Sequence, residues 1–358
     1  MKDLIYKGRG TISNQAGRFE KTHSSAIDDG WGSLDADLAP LHTEVIIDNS
    51  RSIINYNDSP DIPFDRSINP YRGCEHGCVY CFARPTHAYL GLSPGLDFES
   101  RILIKPDAAQ LLKLELAKRS YRCAPIALGT NTDPYQPLER QQRLMRQILE
   151  ILAETRHPVT IVTKSALVER DIDLLAAMSA QGLVAVYISI TTFDRQLARN
   201  LEPRAAAPQR RLETVQALTA AGINTGVMLA PMIPGLNDHE LENIAKAAKT
   251  AGATSAEYIL LRLPLEVASL FSAWLYQYYP LKAEHVLNLI KETRSGQLYN
   301  ADYQQRFRGT GSYADMLYQR FNLISKRLGL NQTQPRLRTD LFRKPETNDK
   351  QMRFDFFD

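Results

Sequence analysis

Apolar runs and helix-like stretches alternate through the middle of the chain. Between Ser67 and about Leu261, short runs rich in β-branched residues each precede a longer stretch with helical periodicity. Ser67-Ile68-Asn69 is the first run. Pro125–Thr130 is the second, with a helix predicted near Leu138–Glu154. Val159–Lys164 is followed by a helix near Glu169–Ala180, and Leu183–Ile190 by one near Gln209–Ala221. Ile223–Ala230 precedes a helix near Asp238–Ala251, and Ser255–Leu261 is the sixth run.

Repeated strand–helix units build a parallel sheet with right-handed crossovers, as an open doubly wound sheet or a partial barrel. The glycine fingerprint of dinucleotide-binding folds follows none of the runs. Polar or prolyl positions end them instead: Asn69, Thr130, Lys164, Ser189 and Ala230-Pro231. Barrel enzymes place their active sites at that face. The expected fold is therefore α/β, a partial (β/α)6 barrel over residues 61–262. Residues 1–60 are polar and punctuated by Pro60, Asp61 and Pro63, and read as an irregular N-terminal extension packed on the domain. Residues 263–358 read as a mainly helical C-terminal region.

Composition narrows the class. At 44% apolar and 23% charged residues, the chain is of globular type. It contains no apolar stretch of about 18 residues, and its first ten residues lack a signal-peptide segment. The expectation is a cytoplasmic protein with no membrane span. The net charge of +3 diagnoses no polyanionic partner by itself. From Arg262 onward, 15 Lys/Arg stand against 10 Asp/Glu, a weakly basic tail.

The chemistry concentrates in Cys74-Glu75-His76-Gly77-Cys78-Val79-Tyr80-Cys81, which holds three of the four cysteines. Three soft ligands this close hold three corners of a metal centre and leave a fourth for something other than protein. One reading is a [4Fe–4S] cluster with an open iron. A second is zinc with His76 or His87 as fourth ligand, although structural zinc usually takes two separated pairs. A third is an incidental group of thiols. Disulfides are disfavoured in a chain so poor in cysteine.

The Cys-x3-Cys-x2-Cys spacing, with Tyr80 before the last cysteine, resembles the signature of radical S-adenosylmethionine (SAM) enzymes. That resemblance implies SAM chelating the open iron, one-electron cleavage to methionine and a 5′-deoxyadenosyl radical, and hydrogen abstraction from a substrate. It implies a reduced electron donor such as flavodoxin or ferredoxin. Val162-Thr163-Lys164, Ser189-Ile190, Asn200-Leu201-Glu202-Pro203 and Ala230-Pro231 are similar to the spore photoproduct lyase branch, which includes uncharacterised proteins described as DNA repair photolyase-like. By that likeness, spanning roughly Ser67 to Asp238, Thr132, Asp133, Lys164, Ser189 and Ala230 would contact SAM, and the enzyme would be lyase-like. The text around Cys74 and Arg306–Ala314 looks like the uncharacterised subgroup rather than the lyase itself.

Each position has a structural alternative. Tyr80 or Phe82 flanks the adenine, or both pack the loop. Asp133 accepts from the SAM ammonium, or makes the turn before Pro134. Lys164 binds a carboxylate as a point charge. Arg204 touches ribose or substrate, or makes a loop salt bridge, and Asp238 caps the next helix. One departure matters. The lyases return a hydrogen atom from a cysteine at the position of Thr130, and a threonine O–H is a far poorer donor. Cys123 lies before the strand and reads as an inert thiol.

Aromatic and basic residues interleave from Tyr299 to Phe321, as a nucleic-acid stacking surface or as the core of a helical subdomain. The leading expectation is a radical SAM enzyme acting on a nucleic-acid base or lesion. The alternatives are a metal-stabilised nucleic-acid-binding protein without catalysis, or radical chemistry on a small molecule or protein.

Overall fold

The structure, a computed structural model, describes residues 9–20, 41–303, 305–332 and 336–346. Ten strands are present among them: β1 Glu44–Ile47, β2 Ile54–Tyr56, β3 Arg66–Ile68, β4 Tyr71–Arg72, β5 Arg101–Ile104, β6 Ile126–Leu128, β7 Val159–Thr163, β8 Val184–Ser189, β9 Thr225–Met232 and β10 Ser255–Leu260.

Seven of them form one sheet in the order β10-β9-β8-β7-β6-β3-β2, all neighbours parallel except the β2–β3 pair. The six parallel strands therefore follow one another in space as they do in sequence. A doubly wound sheet reverses its order at a switch point; this one does not, and it is the singly wound, partial (β/α)6 arrangement. The sheet remains open, with β10 and β2 at its ends.

The strands read as near-continuous apolar runs because helices cover them. All of β8 except Tyr187 is buried. The helix Leu144–Glu154 buries Leu144, Met145, Ile148, Leu149 and Leu152, an i, i+4, i+8 stripe doubled by its neighbours. The single helix expected over 138–154 is split at Arg143, which adopts φ 52°. The carboxylate of Glu139 accepts from Leu144 N at 3.0 Å and Met145 N at 3.1 Å, capping the second segment from inside the first.

The N-terminal region is more regular than its composition suggests. β1 pairs with β5 in a second sheet of order β1-β5-β4, and β2 extends the main sheet antiparallel to β3. β1 gains its order from a partner far along the chain, a signal absent from local pattern, whereas β2 pairs with the nearby β3. The exposed edge of β10 is managed by side chain and loop. Asn331 both accepts from Ala256 N and donates to Ala256 O, and Leu260 N donates to Phe307 O.

Helices Glu266–Tyr278, Pro280–Glu292 and Ser312–Leu328 follow the sheet. The first two share a second core with the cysteine loop: Cys78, Val79 and Tyr80 pack with Leu263, Phe271, Trp274 and Ile290. Trp274 Nε1 donates to Asn200 O at 3.0 Å. No described helix is long and apolar enough to cross a membrane.

Candidate cluster and cofactor site

The loop from Gly73 to Cys81 leaves the C-terminal side of β3 by way of β4, so the three thiols lie at the strand mouth. Its shape is set by bonds from distant elements. Gln136, fully buried, donates to Gly73 O at 3.3 Å and accepts from Glu75 N at 2.9 Å, gripping the backbone on both sides of Cys74. Cys74 N itself donates to Phe98 O at 2.9 Å. Val79 N donates to Leu201 O, and Arg204 N to His76 O.

Arg84 is the hub beneath the loop. Its side chain is fully buried and donates to Cys78 O at 2.9 Å, Gly77 O at 3.2 Å, Pro94 O, Gly95 O and Glu99 Oε1 at 2.6 Å. Glu99 also accepts from Gly10 N, Thr11 N and the Thr11 hydroxyl at 2.8–3.0 Å. The N-terminal segment is thereby sealed onto the loop. Gly10 is obligatory there, because a Cβ would stand 1.7 Å from Gly77 O. The sequence assigned no role to Arg84, Glu99, Gln136 or Gly10. Most of their partners are backbone groups, which leave no pattern among side chains.

All three cysteines are free, and burial raises each thiol, Cys78 to about 12. Buried neutral thiols of this kind become thiolates when a metal centre binds them. Among the described residues no group of three His, Cys, Asp or Glu is placed to hold a metal ion in this arrangement. Three soft thiol donors in one short loop are of the kind that hold iron–sulfur clusters. The donor set and its burial fit an iron–sulfur cluster.

Lys164 follows β7 and its ammonium has no hydrogen-bond or ion-pair partner among the described residues; its Nζ lies 5.9 Å from the centre of the Tyr80 ring. Burial disfavours its charge, but the nearby Cys78 and Glu202 outweigh that and raise its pKa. Tyr80 is buried, and its hydroxyl donates to Glu202, which also pairs with the buried Arg211 and accepts from Thr191 Oγ1 at 2.6 Å. Phe82 is different: 41% exposed, with the Arg262 guanidinium 4.8 Å from its ring centre.

The other expected contacts are engaged within the protein. The Thr132 hydroxyl donates to Tyr71 O at 3.1 Å, and Ser189 to Ala230 O at 3.1 Å. Each hydroxyl oxygen retains acceptor capacity. Ala230 lies two residues before the end of β9 rather than at it, and its peptide bond to Pro231 is cis. Asn237 shapes the loop beyond, donating to Thr191 O and Pro231 O and accepting from Ile233 N.

Asp133 departs from the expectation of a free ammonium acceptor. Tyr135 N at 2.9 Å and Thr163 Oγ1 at 2.7 Å donate to one oxygen, and Lys164 N at 2.8 Å to the other, which also faces His76 Nδ1 at 3.3 Å. Burial opposes its ionisation, but His76 and these donors prevail and lower its pKa to about 2. Three hydrogen-bond donors hold its oxygens with the His76 ring beside them, so it ties together the β6 loop, β7 and the cysteine loop.

Further sequence expectations resolve on the same geometry. Arg204 pairs with Glu75 at 3.0 Å, the salt-bridge alternative. Asp238 does not cap its helix; it accepts from Gly235 N at 3.1 Å and from the Tyr313 hydroxyl. Cys123 packs against the main core, away from the loop. The interleaved C-terminal residues divide: Tyr313, Tyr318 and Phe321 pack on the core, while Tyr303 and Phe307 stack with arginines.

A singly wound parallel sheet carries a loop with three free cysteines at the mouth of its strands. Residues 68–248, just over half of the chain, match the family model described as Radical SAM superfamily, and the chain belongs to that superfamily. An uncharacterized protein of Mycobacterium tuberculosis is 40% identical over 221 residues, covering 61% of this chain and 65% of that protein. An uncharacterized protein of Methanocaldococcus jannaschii is 28% identical over 245 residues, covering 68% of this chain and 87% of that protein. Among solved structures, spore photoproduct lyase complexed with dinucleoside spore photoproduct superposes with a TM-score of 0.56 at 16% identity, covering 80% of each chain. That likeness is one of fold.

Proposed function

We propose that this chain is a lyase-like radical SAM enzyme acting on a nucleic-acid base or lesion, with residues 61–262 as its catalytic unit. In this reading Cys74, Cys78 and Cys81 hold a [4Fe–4S] cluster. The observation that carries it is the pairing of three free thiols, two buried and Cys81 half-buried, with the ammonium of Lys164, which has no hydrogen-bond or ion-pair partner among the described residues, near Cys78 at the strand mouth. When bound, the cluster and SAM supply one-electron cleavage to methionine and a 5′-deoxyadenosyl radical that takes hydrogen from substrate, the electron coming from reduced flavodoxin or ferredoxin.

The chain's own groups divide the cofactor between them. Lys164 receives the SAM carboxylate as a charge-assisted partner. Thr132 and Ser189 offer hydroxyl oxygens to its ammonium. Asp133 fixes the Lys164 backbone rather than touching the cofactor. Backbone around Ala230 faces the adenine, with Tyr80 on the cofactor side of the cysteine loop and Phe82 on the substrate side, where Arg262 covers it. The dinucleoside bound by spore photoproduct lyase supports a nucleic-acid substrate on the same fold.

Anaerobic reconstitution followed by assay for 5′-deoxyadenosine tests the reading. Product is expected under dithionite reduction and none from C78A. A reduced, intact cluster that yields no product refutes it. Stoichiometric zinc in place of iron and sulfide points instead to a metal-stabilised binding protein.

A further inference from the structure

Beside the cysteine loop runs a ladder of alternating rings and guanidiniums. The Arg262 guanidinium lies 4.8 Å from the ring centre of Phe82 and 4.8 Å from that of Phe307. Arg306 continues the series, 4.9 Å from Phe307 and 4.7 Å from Tyr303. The two end rings are exposed, Phe82 by 41% and Tyr303 by 49%. Residues scattered from 82 to 307 make this surface, and its inner end adjoins Cys81.

The two cations in the ladder are not equivalent. Arg306 is neutralised by a two-pronged pair with Asp61, Nε to Oδ2 at 2.7 Å and Nη2 to Oδ1 at 2.5 Å. Arg262 has no carboxylate partner among the described residues. Its one hydrogen bond is a long one, 3.4 Å from Nη2 to the Tyr299 hydroxyl, and its Nε is buried without an acceptor. A second guanidinium, Arg294, is fully buried close by, bonded only to the carbonyls of Leu260, Leu261 and Gln305. Burial first, and then the charge of Arg262, lower its pKa to about 10. Two like charges with no acid between them are costly unless an anion offsets them.

A guanidinium lying between two rings, with one long hydrogen bond and no carboxylate partner among the described residues, suits an oxyanion as counter-charge. Exposed rings interleaved with cations are the platform on which unstacked bases lie while the backbone is neutralised. We propose that Arg262 grips a backbone phosphate of a single-stranded nucleic-acid substrate, with the Phe82 ring supporting the adjacent base at the entrance to the cluster. The placement of the reacting base rests on the radical reading above; the phosphate grip is measured independently of it.

The test is fluorescence anisotropy of a short fluorescein-labelled oligothymidylate against reconstituted wild-type protein, R262Q and R262K across a salt series. R262Q is expected to bind about tenfold or more weakly, with the logarithmic salt slope reduced by about 0.7 for one lost phosphate contact. R262K, which keeps the charge but not the planar fork, is expected to retain the slope with part of the affinity. Thymidine 5′-monophosphate is the competitor that separates an isolated phosphate from a strand. Identical isotherms and slopes for wild type and R262Q overturn the proposal. So does a wild-type protein that cleaves SAM yet binds the mononucleotide and no oligonucleotide. Oligonucleotide binding that depends on Arg262 in a protein unable to cleave SAM upholds the grip and sinks the radical reading alone.

Discussion

Replacing Arg84 by alanine should unfasten the cysteine loop. The guanidinium is fully buried and makes five hydrogen bonds, four to carbonyls and one to Glu99. Removing one partner of a buried ion pair costs about 3–5 kcal/mol, because the remaining charge stays buried. Glu99 would keep its three donors from Gly10 and Thr11 but lose its ion-pair partner, with Arg9 as the remaining nearby cation. The four orphaned carbonyls add to this, each about 1 kcal/mol or more before relaxation, and these terms overlap rather than sum. A total near 4 kcal/mol is a large part of the ~5–15 kcal/mol that separates folded from unfolded states. Urea unfolding of the apoprotein measures it, alongside iron and sulfide per chain after anaerobic reconstitution. Both should fall in R84A, since Gly77 and Cys78 lose the donor that aims their carbonyls. R84K, which can reach only some acceptors, should lie between. An R84A protein with the wild-type midpoint and full iron content would refute the assignment of Arg84 as the hub.

Four further outcomes are expected. K164M should weaken SAM binding about 10–100-fold through loss of one charge-assisted contact, read by calorimetry on the cluster-loaded protein; unchanged affinity would remove Lys164 from the SAM site. C123S should retain cluster colour and 5′-deoxyadenosine formation, whereas C78A should lose both. G10A should cost about 1–3 kcal/mol and expose the N-terminal segment to limited proteolysis, because its added methyl group meets Gly77 O. Asp133 has a pKa lowered to about 2, below the ordinary 3.8, so its contribution is present above pH 4 and lost as pH falls toward 2. D133N should be about 2–3 kcal/mol less stable at neutral pH, with a shallower acid limb in unfolding curves.

Local periodicity was sufficient for the sheet. Each of the six parallel strands overlaps an apolar run visible in the chain, because covered parallel strands need β-branched residues on both faces. The spacing Cys74, Cys78, Cys81 was likewise legible, since a short chelating loop must carry its ligands close together. Strand ends marked Lys164 and Ser189 for the same reason: polar groups at a mouth stand out against apolar runs. Asp133 was legible as a residue with two alternative roles, but the donors around it were not, because the neighbours of a carboxylate come from the fold.

What remained hidden was whatever depends on pairs distant in sequence. β1 takes its order from β5, and Gly10 reaches Glu99 across 89 positions. The Phe82–Arg262–Phe307 stack joins three segments that carry no mutual signal along the chain. Sequence alone determined the strand–helix series and the three closely spaced cysteines, because periodicity and close spacing are local. Only the tertiary structure decided which charges are paired and which, like Lys164 and Arg262, lack an ion-pair partner among the described residues, because a charge acquires its partner from the fold.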